Sequence, residues 1–319
     1  MTPVDVVLIG RNEGARLVAA LNSVMGQARQ VVYVDSGSTD ASVAEAERRG
    51  ATVVQLDMAI PFTAARARNA GFDALEDPQI VQFIDGDCAL VPGFIATARA
   101  HLETNPHLAM VTGWRREIHP NASVYNQLCD WEWRRPAGQI DACGGDMMVR
   151  AEAWRSVGGM DPAVIAAEDD EFCTRLRKAG WLLERIPQEM TRHDANMLRF
   201  GQWWRRAERT GHGFAQVGHL HPDYFVKERQ RVLVYGAAIP LAMLVGVFVA
   251  WWVPLLIAAL YAVNYIRTAK GLIHEGLPKD QAWLHALLLT LSKLPNLIGM
   301  ARYHWRSLTG RAMRIIEYK

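Results

Sequence analysis

The sequence predicts an α/β fold, a mostly parallel sheet flanked by helices, followed by a separate apolar helical region. Three observations carry this. Short β-branched runs alternate with helical stretches through the first quarter of the chain, two of those runs stop abruptly at Asp35 and Asp85, and the 35 residues from Val232 to Ile266 hold no charged side chain. Alternating strands and helices with short connections build parallel sheets, and such sheets hold ligands beyond the carboxyl ends of their strands. The charge-free run exceeds the ~20 residues that one membrane span requires.

Val4 to Ile9 reads as the first strand and Gly14 to Met25 as a helix, with Leu17, Leu21 and Val24 on one side. Val31 to Val34 is the second strand and runs into the polar cluster Asp35-Ser36-Gly37-Ser38-Thr39-Asp40, which cannot continue it. Thr39 or Asp40 caps a helix to Arg49, Gly50 ends it, and Ala51 to Leu56 gives a third strand. Another helix, Ala64 to Leu75, leads into the buried run Val81-Gln82-Phe83-Ile84, which terminates in Asp85-Gly86-Asp87. Two carboxylates two residues apart repel unless a cation lies between them, and their oxygens suit a hard divalent ion, Mg2+ or Mn2+. Gly86 lets the backbone turn closely enough to aim both at one ion. A solvated Asp-Gly turn is the competing reading.

The 319 residues are enough for a sizeable core, and a net charge of +2 argues against a nucleic-acid partner. That balance hides an asymmetry. From Val226 onward there are 12 Lys and Arg against 4 Asp and Glu, a net of +8, whereas the residues before it carry 23 against 29, a net of −6. The four cysteines, Cys88, Cys129, Cys143 and Cys173, form no CxxC pair, so reduced thiols are expected rather than a zinc site or a disulfide framework. Val6 to Ile9 is too short for the apolar core of a signal peptide.

Several pieces in order resemble the family 2 glycosyltransferases, whose nucleotide-sugar domain has the GT-A fold. They are Asn12-Glu13, Val34 to Asp40, Ala65-Arg66-Ala67-Arg68-Asn69-Ala70-Gly71, Asp85-Gly86-Asp87, Gly144-Gly145 with Arg150, Gly158-Gly159-Met160-Asp161, and Glu168-Asp169-Asp170-Glu171-Phe172-Cys173 running on to Trp181. Together they cover residues 4 to 195. The resemblance implies that Asn12, Glu13, Asp35, Ser36, Arg68, Asp85 and Gly86 bind the nucleotide sugar, with Arg66 as an alternative to Arg68 near the diphosphate. It implies that Asp87 ligates the metal, with Asp85 on a ribose or a metal-bound water and His193 as a further ligand or a plain surface histidine. Asp169 becomes the base that takes the acceptor proton, assisted by Glu168, with Asp170 one residue out of register. Such a base is needed because transfer proceeds by direct displacement, and the diphosphate leaves only if its charge is stabilised. The acids open a helix at its positive end. Gly144 and Gly145 would admit an acceptor sugar close to the backbone.

Gln202-Trp203-Trp204-Arg205-Arg206 half resembles the Gln-x-x-Arg-Trp signature of processive polysaccharide synthases, with Arg206 where the pattern has Trp. Trp203 and Arg205 are therefore candidates for acceptor binding, or for contact with the lipid boundary and lipid phosphate. Arg229 and Arg231 precede the charge-free run, Arg267 and Lys270 follow it, and Trp251-Trp252 lie near its middle. The positive-inside rule then gives a hairpin of two spans with both ends cytoplasmic. Trp283 to Met300 holds Lys293 and Pro295 and reads as an amphipathic helix on the anionic leaflet, with a third span as the alternative.

The expected domains are residues 1–198, catalytic; 199–230, interfacial linker helices; 231–267, transmembrane hairpin; and 268–319, a membrane-surface helix with a basic tail. The expected function is inverting, metal-dependent transfer of a sugar from a nucleotide-diphosphate donor, a UDP-sugar by the family's habits, to a lipid-linked saccharide. Membrane lipids are the other expected partner. The place is the cytoplasmic face of a bacterial inner membrane, in surface polysaccharide synthesis. Transfer to polyprenyl phosphate is the alternative within the class, and a non-catalytic nucleotide-sugar scaffold the alternative outside it.

Overall fold

The structure, a computed structural model, describes residues 1–317. It divides into two compact units, one of residues 1–120, 129–196 and 313–315, the other of residues 121–128, 197–312 and the remainder.

In the first unit β1 (Val4–Gly10), β2 (Val31–Asp35), β3 (Thr52–Gln55) and β4 (Ile80–Asp85) alternate with α1 (Ala15–Val24), α2 (Ser42–Arg48) and α3 (Ala64–Asp73). These four strands are all parallel, in the order β3-β2-β1-β4, as the alternation predicts. The side chains of β1 are buried on both faces, the expectation for a strand with helices above and below. Gly71 on α3 has no room for a Cβ against Val7 and Val34, so α3 lies close on the sheet. That close approach carries Arg68 over the strand ends.

Beyond β4 the sheet becomes mixed. β5 (Cys88–Leu90), α4 (Phe94–Thr104), β6 (Leu108–Glu117), α5 (Val124–Glu132), β7 (Gly138–Gln139), β8 (Met147–Arg150), α6 (Ala151–Ser156), α7 (Glu168–Lys178) and β9 (Leu182–His193) follow in sequence. The full order is β3-β2-β1-β4-β8-β6-β9-β5, with β7 also on β9. β8 runs antiparallel to β4 and β6, and β5 and β7 antiparallel to β9, so the sheet is less parallel overall than its first four strands suggest. A turn of two residues between β4 and β5 sends the chain from one half of the sheet to the other, and Asp85 and Asp87 lie on either side of that transfer.

The second unit is helical: α8 (Phe200–Leu220), α9 (Val226–Val232), a π-helical turn at Leu233–Ala238, α10 (Ile239–Val249), α11 (Trp252–His274), α12 (Lys279–Leu291) and α13 (Lys293–Leu308). α9, the π turn and α10 form one continuous helix. Pro240 has no N–H to donate to Gly236, and the wider turn just before it accommodates that loss. The break between α10 and α11 falls at Ala250–Trp251, at the start of the Trp251-Trp252-Val253-Pro254 stretch expected to turn, and Trp252 to Pro254 already belong to α11, which runs to His274, beyond residue 267. Three helices are long and apolar enough to cross a membrane, Val226–Val249, Trp252–His274 and Lys279–Leu308. The third differs from the others, since 39% of its most apolar window is buried inside the protein against 17% and 11%. The cover comes from α8. A Cβ on Gly211 would enter the backbone of Asn296 and one on Gly299 the backbone of Glu208, so the two helices meet at glycines, and Arg302 pairs with Glu208 at 2.7 Å beside the crossing.

Candidate active site

The register of the sheet sets the rim. Asp35 ends β2 opposite Gly10 of β1, and Asp85 ends β4 opposite Ile9, so the two acids flank one strand about 10 Å apart by the usual strand spacing. The Gly86 amide donates to the Ile9 carbonyl at 2.7 Å, and a Cβ there would stand 3.0 Å from that oxygen, so only glycine lets the chain fold back over β1. Asn12 is itself left-handed, at φ 55, with its side-chain oxygen accepting from the Thr39 amide at 2.7 Å and its own amide donating to Ser38 Oγ at 2.9 Å. It thereby ties the loop after β1 to the loop after β2. Asp35 is buried, its Oδ2 accepting from the amides of Gly37 and Ser38 at 2.9 and 2.8 Å and its Oδ1 from the Tyr33 hydroxyl at 3.0 Å. Ser36 is buried beside it, and Glu13 is held by Arg16 at 2.8 Å with its stem over Gly10 and Gly86.

The Asp-Gly-Asp acids part company. Asp85 accepts from Arg68 Nη2 at 2.6 Å and from Arg115 Nη2 at 3.2 Å, so each of its oxygens is already in an ion pair. Asp87 has crossed toward β9, where Cys88 pairs with His193, and its Oδ2 lies 3.2 Å from His193 Nε2. The two carboxylates fall in separate potential ligand groups, Asp87–Cys88–His193 and Asp85–Cys88–Asp146, which share Cys88. We favour the first group for a metal. Burial keeps the His193 imidazole below its ordinary pKa and hence neutral, as a ligand must be, and its Nδ1 lies 3.7 Å from Glu117, which is fixed by the amides of His119 and Ala195. Burial pushes the Cys88 thiol well up, so the donors left in that group are the carboxylate oxygen and the imidazole nitrogen.

Arg68 is almost fully buried and bridges Asp85 to Glu168, whose Oε1 is 3.0 Å from its Nη1. Arg66, the alternative, is tied to the carbonyls of Asp57 and Ile60. Ala167 at φ 57 turns the chain sharply into α7, a strained residue immediately before the two candidate acids. Asp169 is half-buried. Burial, with Glu168 and Asp170 alongside, pushes its carboxyl well above the ordinary carboxylate range. A Cβ on Gly144 would be 3.9 Å from both Asp169 Oδ2 and Arg115 Nη2, so this glycine keeps the space in front of Asp169 open. Gly145 leaves its space to the Arg68 guanidinium, with Asp85 Oδ1 3.1 Å from where its Cβ would be, and so makes room for an arginine rather than for a sugar.

Trp203 and Arg205 belong to the second unit. Trp203 is 3% exposed, its ring among Phe200, Trp204 and Tyr125, which corrects its expected use as a sugar platform: the ring is core, and Arg205 is exposed. Gln202 accepts from the amides of Leu198 and Arg199 and serves as a helix cap. Sequence reasoning missed Asp146, which accepts from the Asp85 amide at 3.0 Å and pairs with Arg115 at 2.6 Å. It also missed Trp133, whose ring lies edge-on to His193 at 4.8 Å with the Arg115 guanidinium 5.5 Å away. Asp146 was detectable, as an acid beside the apolar start of β8; Arg115 and Trp133 carry no such signal.

Residues 5–148 match the family described as glycosyl transferase family 2, and residues 134–293, half of the chain, match glycosyl transferase family group 2. The chain belongs to glycosyltransferase family 2. A 54-residue stretch of this family 2 chain is 44% identical to an uncharacterised glycosyltransferase of Rickettsia felis, spanning 17% of this chain and only 19% of that protein. Among solved structures, S. aureus TarS 1-349 in complex with UDP is 13% identical with a TM-score of 0.51, over 98% of this chain and 92% of that one. GalNAc-T7 with UDP, GalNAc and Mn2+ is 14% identical with a TM-score of 0.55, over 75% of this chain and 51% of that one. The chain covers 55% of the longer TarS chain. The shared fold is GT-A.

Proposed function

We propose that this family 2 protein is a metal-dependent, inverting glycosyltransferase that moves a sugar from a UDP-sugar to a lipid-linked saccharide at the cytoplasmic face of a bacterial inner membrane, in surface polysaccharide synthesis. The observation that carries the reading is the meeting, on one rim of the sheet, of the Asp87–His193 pair, the Asp85–Arg68–Glu168 bridge and Asp169. A carboxylate beside a neutral buried imidazole fits Mg2+ or Mn2+, and UDP and Mn2+ in the GalNAc-T7 structure support that pairing of donor and ion. A divalent ion held by Asp87 and His193 would act as a Lewis acid toward the charge developing on the leaving diphosphate. Asn12, Asp35, Ser36 and Glu13 shape the nucleotide end of the rim, and Arg68 holds Asp85 and Glu168 in place. Asp169 takes the proton of the acceptor hydroxyl, and a carboxyl with a raised pKa is a stronger base once ionised.

Asp87→Ala is expected to weaken Mn2+-dependent UDP binding by about 10- to 100-fold while leaving metal-free binding unchanged. Titration of wild type and variant with UDP, with and without Mn2+, measures this. The same protein screened against activated sugars and membrane lipid extract should release nucleotide diphosphate only with acceptor and metal present. No release from any donor, or UDP affinity indifferent to Mn2+, would favour a scaffold.

Two spans are favoured over three. α8 carries Arg205, Arg206, Glu208 and Arg209, and its glycine crossing with α13 would draw those charges into hydrocarbon if α13 spanned the bilayer. α12 and α13 therefore lie at the cytoplasmic surface. A fluorescent protein fused after Gly310 should fluoresce and alkaline phosphatase fused there should stay inactive; the reverse pattern would mean three spans.

A further inference from the structure

The buried arginines of the rim each have an acid: Arg68 has Asp85 and Glu168, and Arg115 has Asp85 and Asp146. Arg185 does not. It lies on β9 opposite Gly138 of β7, is 8% exposed, and has no carboxylate in ion-pair range among the described residues. Its Nη1 donates to the Pro136 carbonyl at 3.2 Å, and its Nε is buried with no partner. Burial, above all, disfavours its charge; the Cys143 thiol, pushed well up by Cys173 and by burial, and the Arg135 guanidinium, which opposes the charge, are the other groups acting on it. Arg135 is exposed and likewise forms no ion pair among the described residues.

A guanidinium out of water without a counter-charge is unfavourable, and the carbonyl that Arg185 does reach belongs to Pro136, the residue after the second arginine, Arg135. The surrounding sequence up to residue 225 has an excess of acids, 29 against 23 basic residues, so countering acids are not scarce, yet none is placed here. The missing charge therefore points to a ligand. The segment joining these groups leads to the reaction centre in both directions. Two residues before Arg135, the half-exposed Trp133 ring abuts His193, and the residue after Cys143 is Gly144, which faces Asp169.

We propose that Arg185 and Arg135 form an anion subsite that takes the phosphate of a phosphate-bearing acceptor whose sugar lies against Trp133. This rests on the reading of the protein as a transferase acting on a lipid-linked saccharide, in which phosphate joins sugar to lipid. The guanidinium fork matches phosphate oxygens in pairs, and the unpartnered Nε of Arg185 is a donor left over for one.

The full chain in detergent is titrated by calorimetry with farnesyl phosphate, farnesol, inorganic phosphate and acetate, and separately with UDP and Mn2+. Wild type should bind farnesyl phosphate about tenfold or more tighter than farnesol, the advantage expected of a charged hydrogen-bonded pair. Arg185→Met and Arg135→Ala should each remove most of that preference and leave UDP affinity unchanged. Inorganic phosphate binding as tightly as farnesyl phosphate would identify free phosphate as the ligand; weaker binding assigns the site to the lipid headgroup. Equal binding of farnesol and farnesyl phosphate, acetate competing as well as phosphate, or an intact preference in Arg135→Ala would overturn the proposal. Arg135 is exposed, so its variant reports even where Arg185→Met fails to fold. Loss of UDP affinity would instead assign the pair to the donor and overturn it too. Absence of sugar transfer with the phosphate preference intact would sink the transferase reading and leave the subsite standing.

Discussion

Asp169→Asn is expected to abolish transfer and, at neutral pH, to make the protein more stable. Loss of a general base removes about 10²- to 10⁴-fold in rate, and asparagine keeps the shape and the hydrogen bond from the Asp170 amide without accepting a proton. The stability gain follows from the sign of the pKa shift. Burial, Glu168 and Asp170 raise the folded carboxyl above its unfolded value of about 3.9, so the fold disfavours the ionised form. Relative to the protonated state, stability is lost as pH rises from the unfolded pKa through the folded one. Asparagine carries no charge to disfavour, so Tm at pH 7 should rise, by about 2–4 °C for each kcal/mol recovered in a domain of this size. Thermal melts across pH, with kcat on the same preparations, test both parts. The Tm difference should shrink as the pH falls through the unfolded pKa of about 3.9 and close about one unit below it, where aspartate is protonated in both states. An inactive variant that is also less stable at pH 7 would mean that Asp169 is a structural acid; an active one would remove it as the base.

The first half of this fold was legible because a parallel sheet buries its strands on both faces. Val4–Gly10, Val31–Asp35 and Ile80–Asp85 are apolar runs interrupted only by the buried Asp5 and Gln82, and the chain turns polar where each strand ends. The rule that acids at strand ends mark a site found Asp35, Asp85 and Asp87 for the same reason. It did not separate Asp85 from Asp87, because sequence spacing records nearness along the chain and not the two-residue turn that passes Asp87 toward β9. Arg115 was invisible, as its meaning lies in a partner, Asp146, 31 positions away just before β8. Trp203 was misread in the opposite way: a tryptophan beside arginines looks interfacial in sequence, and only packing reveals that its ring is enclosed.

Arg68→Met is expected to damage both stability and donor binding, and the two losses can be separated. Among the described residues Arg68 is the one cation paired with both Asp85 and Glu168, and removing it leaves Glu168 without its ion pair and Asp85 with Arg115 at 3.2 Å. Breaking a buried pair by deleting one partner typically costs 3–5 kcal/mol, and with Asp85 27% exposed to water about 3 kcal/mol is expected here. Lysine does not rescue, since a single ammonium cannot span both acids as the planar fork does. If the cost is the stranded charge, adding Glu168→Gln to Arg68→Met should restore a large part of the lost stability, a non-additive result that denaturant melts of the single and double variants measure directly. Activity should not return with it, because the double variant still lacks the cation that orders Asp85 on the donor side and Glu168 beside the base. Recovery of transfer along with stability would mean that Arg68 serves only to neutralise the acids; additive losses would mean that the three groups do not act as one bridge.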